Sequence, residues 1–89
     1  MNARRHTLEE TVRLGKEIYE QRIRASVEQG NKGKVIAIEV DGGEYEIAEN
    51  SLIAFDRLRE RVPDAEVYFG RIGYAALHRL GYAYSAEKS

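Results

Sequence analysis

The segment EVDGGEYE, residues 39–46, concentrates side chains that could do chemistry. Its four carboxylates are Glu39, Asp41, Glu44 and Glu46. Carboxylates coordinate hard cations, act as general acids or bases, and attract basic partners. Which of these uses applies depends on how the surrounding elements position the four side chains.

The spacing of these residues does not match known catalytic or metal-binding patterns. An EF-hand loop starting at Asp41 would need an oxygen ligand where Gly43 stands and a glutamate where Leu52 stands. Aspartic proteases carry a hydroxyl residue where this chain has Gly42, and they need a second aspartate about 3 Å away. A carboxylate pair on an open strand has no pocket to raise either pKa. We predict no catalytic residue, no metal ligand, no cofactor and no enzymatic activity.

A second motif, Gly70-Arg71-Ile72-Gly73, matches the G-x-x-G loop with which KH domains clamp a nucleic-acid backbone. In KH domains this loop joins two helices, whereas here it follows a predicted strand. The net charge of −1 also argues against a dedicated nucleic-acid binder. Nucleic-acid binding through this motif and nearby arginines is therefore the alternative function.

Tyrosines are dense in the last quarter of the chain, and Tyr and Arg are enriched at interface hot spots. We therefore predict Tyr68, Arg71 and Tyr74, together with the four carboxylates, as partner-binding residues. Core packing with hydroxyl groups at the rim is the other interpretation of the tyrosines. His6 and His78 have no neighbour in sequence typical of a nucleophile or a zinc site.

The carboxylates lie on a predicted β-hairpin. Apolar residues alternate with polar ones on both sides of the glycine pair, as a half-buried strand requires. A two-residue loop at Gly42-Gly43 would place Val40 opposite Tyr45 and Glu39 opposite Glu46. This register gathers the apolar side chains on one face and the four carboxylates on the other. Like charges opposite each other are tolerated on a hydrated face, or retained where a basic partner docks.

A helix is predicted before the hairpin, over residues 8–29, and its start carries a Thr7–Glu10 capping box. Its apolar side is wider than one packing stripe. The residues on that side are Leu8, Val12, Leu14, Ile18, Tyr19, Ile23 and Val27. Such breadth fits either packing between the sheet and another helix or a self-association or partner surface.

A second helix follows the hairpin, starting at Asn50 or Ser51 and ending before Pro63. Its predicted apolar side consists of Leu52, Phe55, Leu58 and Val62. The next segment, residues 66–74, is a strand with apolar residues on both faces, typical of a strand covered on both sides or lying in an interface. Residues 75–80, followed by Gly81, fit either a short helix capped by that glycine or a further strand.

These elements predict one α+β domain over residues 1–89, with the order α-β-β-α-β. The expected architecture is a small mixed sheet, made of the hairpin and a third strand, with two helices packed on one face. Residues 1–6 and 85–89 are expected to be frayed. A chain of 89 residues gains little stability from one core, so a homo-oligomer is expected.

Composition excludes several classes of protein. Without cysteine there are no disulfides, thiolate metal sites or cysteine nucleophiles. No apolar run approaches the roughly 18 residues of a membrane span, and the N-terminus does not match a signal peptide. We predict a cytoplasmic protein without membrane contact. Six acids and no base fall within residues 35–56, so the acidity is confined to one block.

Residues 33–74 resemble a family of short uncharacterised bacterial proteins. The shared features are a GK-hydrophobic strand, an acidic glycine-containing turn, a D-R-L helix, then P-D-A-E and R-I-G-Y. Arg71-Ile72-Gly73-Tyr74 is the most specific part. Family members are often encoded beside a retropepsin-like aspartic protease, which implies a two-gene, toxin–antitoxin-like module. Members usually continue with proline and a glycine-rich end, whereas this chain continues AALHRLGYAYS.

The sequence thus predicts a non-enzymatic protein–protein interaction module, and the resemblance implies that this module is the antitoxin-like or regulatory half of a two-gene bacterial system. The expected partner is the product of an adjacent gene. Docking is expected through the strand at Val67–Tyr74, and the acidic hairpin is expected to steer a basic partner toward it.

Overall fold

A computed structural model describes residues 5–73 and the backbone of residues 77–79 and 84–85. The first element, helix α1, spans residues 8–27. It consists of an α-helical part, Leu8–Ile18, a π-helical turn, Tyr19–Ile23, and a last α-helical turn, Arg24–Val27. The predicted capping box starts this helix: the Thr7 hydroxyl accepts from the Glu10 N–H, and the Glu10 carboxylate accepts from the Thr7 N–H.

The π-helical turn keeps one side of α1 on the sheet. The buried residues of the helix stand four apart throughout: Thr11, Gly15, Tyr19, Ile23 and Val27. In a regular α-helix each four-residue step rotates the side chain by about 40°, so this row would wind away from the sheet. The wider π-helical turn contains one extra residue and turns the last two members back. The side that faces the core is therefore rotated from the predicted one, and Leu8 is 41% exposed.

The predicted hairpin is confirmed as an antiparallel pair, β1 (Val35–Glu39) and β2 (Tyr45–Ala48), but its register differs. Ile38 lies opposite Tyr45, two positions from the predicted pairing. The Glu39 N–H donates to the Glu44 carbonyl at 2.8 Å, which leaves a four-residue loop at 40–43. Gly43 closes this loop with a φ of 85°, which glycine adopts readily. A shift of two residues preserves the pleat, so Val40 and Tyr45 still share one face.

The third strand, β3 (Glu66–Ile72), pairs with the other edge of β1, with Ala37 opposite Phe69. Strands β2 and β3 therefore run in the same direction on either side of β1. Helix α2 (Ser51–Arg61) makes the crossover that such an arrangement requires. The small α+β fold and the order α-β-β-α-β are confirmed. All pairings between the described strands are antiparallel, so the predicted mixed sheet is wrong.

Two short strands cover the outer edge of β3. Strand β4 (Leu77–Arg79) pairs with the end of β3, and β5 (Tyr84–Ser85) pairs with its start. For residues 77–79 the strand alternative is therefore the observed one. The sheet order is β2-β1-β3-β4, with β5 also on β3.

The two helices lie on opposite faces of the sheet, so the prediction that both pack on one face is wrong. Ile36 and Ile38 of β1 pack in the cluster with α1, whereas Val35 and Ala37 pack in the cluster with α2. The alternating pattern of β1 predicted one apolar face, but Val35 and Ala37 form a second apolar face on the other side of the strand. Residues as small as valine and alanine suffice there because α2 contributes its own side chains to that core.

Helix α2 begins at the predicted cap, where the Asn50 side chain accepts from a backbone N–H, and it ends before Pro63. Its buried residues are Ala54 and Leu58. Leu52, predicted for the apolar side, is 67% exposed because the buried row is centred on Leu58. In the described part of the chain, no helix combines the length and apolarity needed to cross a membrane.

Candidate functional site

Glu39 is part of the interior of the hairpin and not of a hydrated surface. The residue is 4% exposed, and its carboxylate accepts hydrogen bonds from the N–H groups of Asp41 and Gly42, both at 2.9 Å. These bonds to a charged acceptor fix the start of the loop. The predicted hydrated acidic face is therefore wrong for Glu39, because a carboxylate beside a tight loop can satisfy that loop's own backbone.

Asp41 fastens the hairpin loop to the N-terminal residues. One carboxylate oxygen accepts from the Arg5 guanidinium at 2.7 Å, and the other lies 2.7 Å from His6 Nε2. The hydrogen bond from His6 is the largest cause of a lowered Asp41 pKa; partial burial acts in the opposite direction, and Arg5 adds to the lowering. Arg5 and His6, predicted to be frayed, are thus ordered by contacts more than 30 residues away in sequence.

Glu44 and Glu46 are both paired with Arg61 at the end of α2. The Arg61 guanidinium donates to both carboxylates and, at 2.7 Å, to the Tyr45 carbonyl on the edge strand β2. The hydrogen bond to Glu44 raises the pKa of Arg61 above its ordinary value. This arrangement ties the crossover helix to the hairpin and covers part of an exposed strand edge.

The four carboxylates therefore bind three different sets of partners: loop N–H groups for Glu39, Arg5 and His6 for Asp41, and Arg61 for both Glu44 and Glu46. Among the described residues no group of three or more acidic or histidine side chains could hold a metal ion. A fifth acid, Glu66, is 2% exposed and accepts from the backbone N–H groups of Arg5 and His6. The sequence offered no signal for this contact, because the donors are backbone groups some 60 residues away.

The predicted contact residues on β3 differ in their exposure to solvent. Tyr68 is 0% exposed beneath α1, whereas Arg71 is exposed and donates to the Gly33 carbonyl at 2.7 Å. Tyr74 lies outside the described residues. Strand β3 is paired along both edges and buried on both faces, so it does not offer a free docking strand in this chain.

The G-x-x-G motif also occupies this strand. Gly70, Arg71 and Ile72 belong to β3, and Gly70 lies opposite Ile36 of the central strand. A KH clamp needs a mobile loop between two helices. The geometry on which the nucleic-acid alternative depended is therefore not formed here.

A shallow groove of about 660 Å³ runs along α1. We call it the α1 groove. The described residues that line it are Leu8, Glu9, Val12, Arg13, Lys16 and Glu17. Leu8 is 41% exposed and Val12 is partly buried, so an apolar strip remains accessible beside charged side chains. The breadth of the apolar side of the predicted helix was the one sequence signal for this groove.

The charges along the α1 groove are only partly used within the chain. Arg13 lies 3.9 Å from Glu17, one turn further along the helix. Glu9 and Lys16 take part in none of the ion pairs found among residues 5–73. An apolar strip between an acid and a base, both without an ion-pair partner there, can receive an amphipathic segment with complementary charges.

Comparison of the chain with family models, curated proteins and solved structures gives no match. The family resemblance noted in the sequence therefore stays a prediction.

Proposed function

We propose that the protein is a non-enzymatic protein-binding module whose docking surface is the α1 groove. The observation that carries the proposal is an apolar strip at the edge of the side with which α1 packs on the sheet: Leu8 is 41% exposed, and Val12 touches the core cluster but stays partly accessible. Helices that present apolar residues one turn apart beside unused charges commonly dock another helix or strand. The docking surface proposed here is therefore α1 and not the predicted strand β3.

The finer proposal is that the partner is the product of an adjacent gene, as in the two-gene, antitoxin-like arrangement that the family resemblance implies. Of the predicted contact residues, Asp41, Glu44 and Arg71 remain exposed and stay a proposed secondary contact. Glu39 and Tyr68 are buried in the chain and would act only through the shape of the surface.

The proposal is tested by capture of the adjacent gene product on immobilised protein. Val12→Asp places a charge in the groove and is expected to reduce capture at least tenfold, which corresponds to about 1.4 kcal/mol. Leu52→Asp is the matched control, since Leu52 is an exposed leucine on α2 outside the groove. Equal capture by Val12→Asp and wild type, with both folded by circular dichroism, would contradict the proposed surface.

A further inference from the structure

We propose that the α1 groove also binds α1 of a second copy of this chain, in antiparallel orientation, with Glu9 of each copy paired with Lys16 of the other. This inference rests on the proposed function, because it names an occupant for the same groove. It follows from the arrangement of charges along the helix.

Glu9 and Lys16 are seven residues apart, or two turns of helix, which is about 10 Å. Both line the groove, and neither has an ion-pair partner among the residues that the structure describes. Val12 and Arg13 stand at the midpoint between them. A two-fold axis through this midpoint therefore brings each Glu9 onto the Lys16 of the other copy.

The orientation follows from the same charges. A parallel pairing would place Glu9 on Glu9 and Lys16 on Lys16, so both contacts would be repulsive. The antiparallel pairing makes two attractive contacts and brings the Val12 side chains of both copies together on one side of the axis. The two Arg13 guanidinium groups approach each other on the other side, where each lies 3.9 Å from Glu17 of its own chain. A closed two-fold pair also uses one surface patch on both copies, which is the commonest form of homodimer.

The apolar part of this interface is small. Leu8 and Val12 are the apolar residues among the described groove lining. A stable interface commonly buries about 800 Å² per partner, and two to three helical turns bury less. We therefore expect a weak dimer, with a dissociation constant of roughly 10–500 µM that rises with salt concentration.

The reciprocal pairing makes a specific test possible. Glu9→Lys alone places lysine against lysine at both contacts, and Lys16→Glu alone places glutamate against glutamate. A mixture of the two variants restores one lysine–glutamate pair at each contact. Sedimentation velocity at low salt is expected to show a weakened self-association of each variant, at least fivefold, and recovery in the equimolar mixture.

Glu60→Lys is the control for the change in net charge, because Glu60 is exposed on α2 away from the groove. It is expected to leave the dimer unchanged. A wild-type chain that stays monomeric up to about 1 mM would overturn the proposal. The proposal would also be overturned if the mixture of Glu9→Lys and Lys16→Glu associated no more tightly than either variant alone.

The two proposals fail in distinguishable ways. If wild type is monomeric but Val12→Asp still abolishes capture of the adjacent gene product, the groove binds a different protein and only the second-copy inference is lost. If the mixed variants dimerise but Val12→Asp leaves capture intact, the groove serves self-association and the proposed partner docks elsewhere.

Discussion

At the scale of single residues, the acidic hairpin shows how one side-chain type can serve several structural purposes. Glu39 closes a loop, Asp41 holds the N-terminal residues, and Glu46 anchors the end of α2. Each carboxylate acts as an acceptor for donors that would otherwise be incompletely satisfied. The stability of the chain should therefore respond to these acids individually.

Glu39→Ala should lower the free energy of unfolding by about 1–3 kcal/mol, because two loop N–H groups lose a buried charged acceptor. Chemical denaturation measures this change. Glu49→Ala, at an exposed position just after β2, is the control and should stay within about 0.5 kcal/mol of wild type. A Glu39→Ala protein as stable as the control would show that the loop does not need this acceptor.

The contacts of Asp41 predict how the free energy of unfolding changes as the pH falls. Its pKa in the folded chain is lowered from the ordinary value of 3.8, mainly by the hydrogen bond from His6. A lowered folded-state pKa gives stability that is present above pH 3.8 and is lost as the pH falls through the lower value.

Asp41→Asn should abolish this part of the acid dependence of the unfolding free energy. The Asp41 and Arg5 side chains are 40% and 43% exposed, so the amount is expected to be below about 1 kcal/mol. Denaturation curves from pH about 6 to about 2 would show it. Asp56→Asn, an exposed change on α2, should follow wild type, and identical curves for the two variants would contradict the role of Asp41.

At the scale of elements, α1 is shaped by its contact with the sheet. Gly15 lies directly over Tyr68, and a Cβ at this position would stand only 2.5 Å from Tyr68 Cγ. The π-helical turn then brings Ile23 and Val27 to the same side as Gly15. Close approach and an inserted residue together allow one helix to cover the sheet over five turns.

Gly15→Ala should destabilise the protein by about 1–3 kcal/mol through overpacking against Tyr68. Helix propensity alone predicts the opposite, a gain of about 1 kcal/mol. Thermal or chemical denaturation decides between the two. Ser26→Ala, at an exposed position of the same helix, is the control and should be neutral or slightly stabilising. An equally stable Gly15→Ala protein would mean that helix and strand can separate at little cost.

Deleting Gln21 from the π-helical turn should be tolerated within about 1 kcal/mol, because the turn becomes α-helical while both buried segments keep their direction. Deleting Glu17 should be far more damaging, because Tyr19 would swing by about 100° off the core side. The expected cost of losing that buried ring is about 3–5 kcal/mol. Similar midpoints of denaturation for the two deletions would contradict this account of the turn.

At the scale of the whole molecule, the fold is closed by contacts between distant parts of the chain. Glu66, at the start of β3, holds the backbone of Arg5 and His6, while Arg61 holds Glu44 and Glu46 of the hairpin. The N-terminal residues, the hairpin loop and the crossover helix are thus connected through charged side chains around one sheet.

Glu66→Gln should break one of the two hydrogen bonds that hold the backbone of Arg5 and His6, because the amide offers one acceptor oxygen where the carboxylate offers two. We expect a loss of about 1–3 kcal/mol in unfolding free energy. Amide hydrogen exchange at Arg5 and His6 should accelerate before the rest of the chain opens. Glu60→Gln, on the exposed side of α2, is the control, and unchanged exchange at His6 in Glu66→Gln would exclude the contact.

What the sequence determined by itself was local. The Thr7–Glu10 box, the Asn50 cap, the stop before Pro63 and the alternation around Gly42-Gly43 all depend on neighbours within a few residues. Such interactions fix element types and the order α-β-β-α-β, because they are satisfied by the backbone geometry of one element.

Only the tertiary structure decided what each element faces. Val35 and Ala37 became a second core because α2 crosses over β1, which no local pattern encodes. Asp41 is paired with Arg5, 36 residues away, and Glu44 with Arg61, 17 residues away, although both acids remain exposed. A carboxylate accepts a hydrogen bond from any donor that reaches it, so the partner it has in the folded protein depends on the path of the whole chain. The same path left Leu8 and Val12 accessible on α1, and with them the surface proposed for binding.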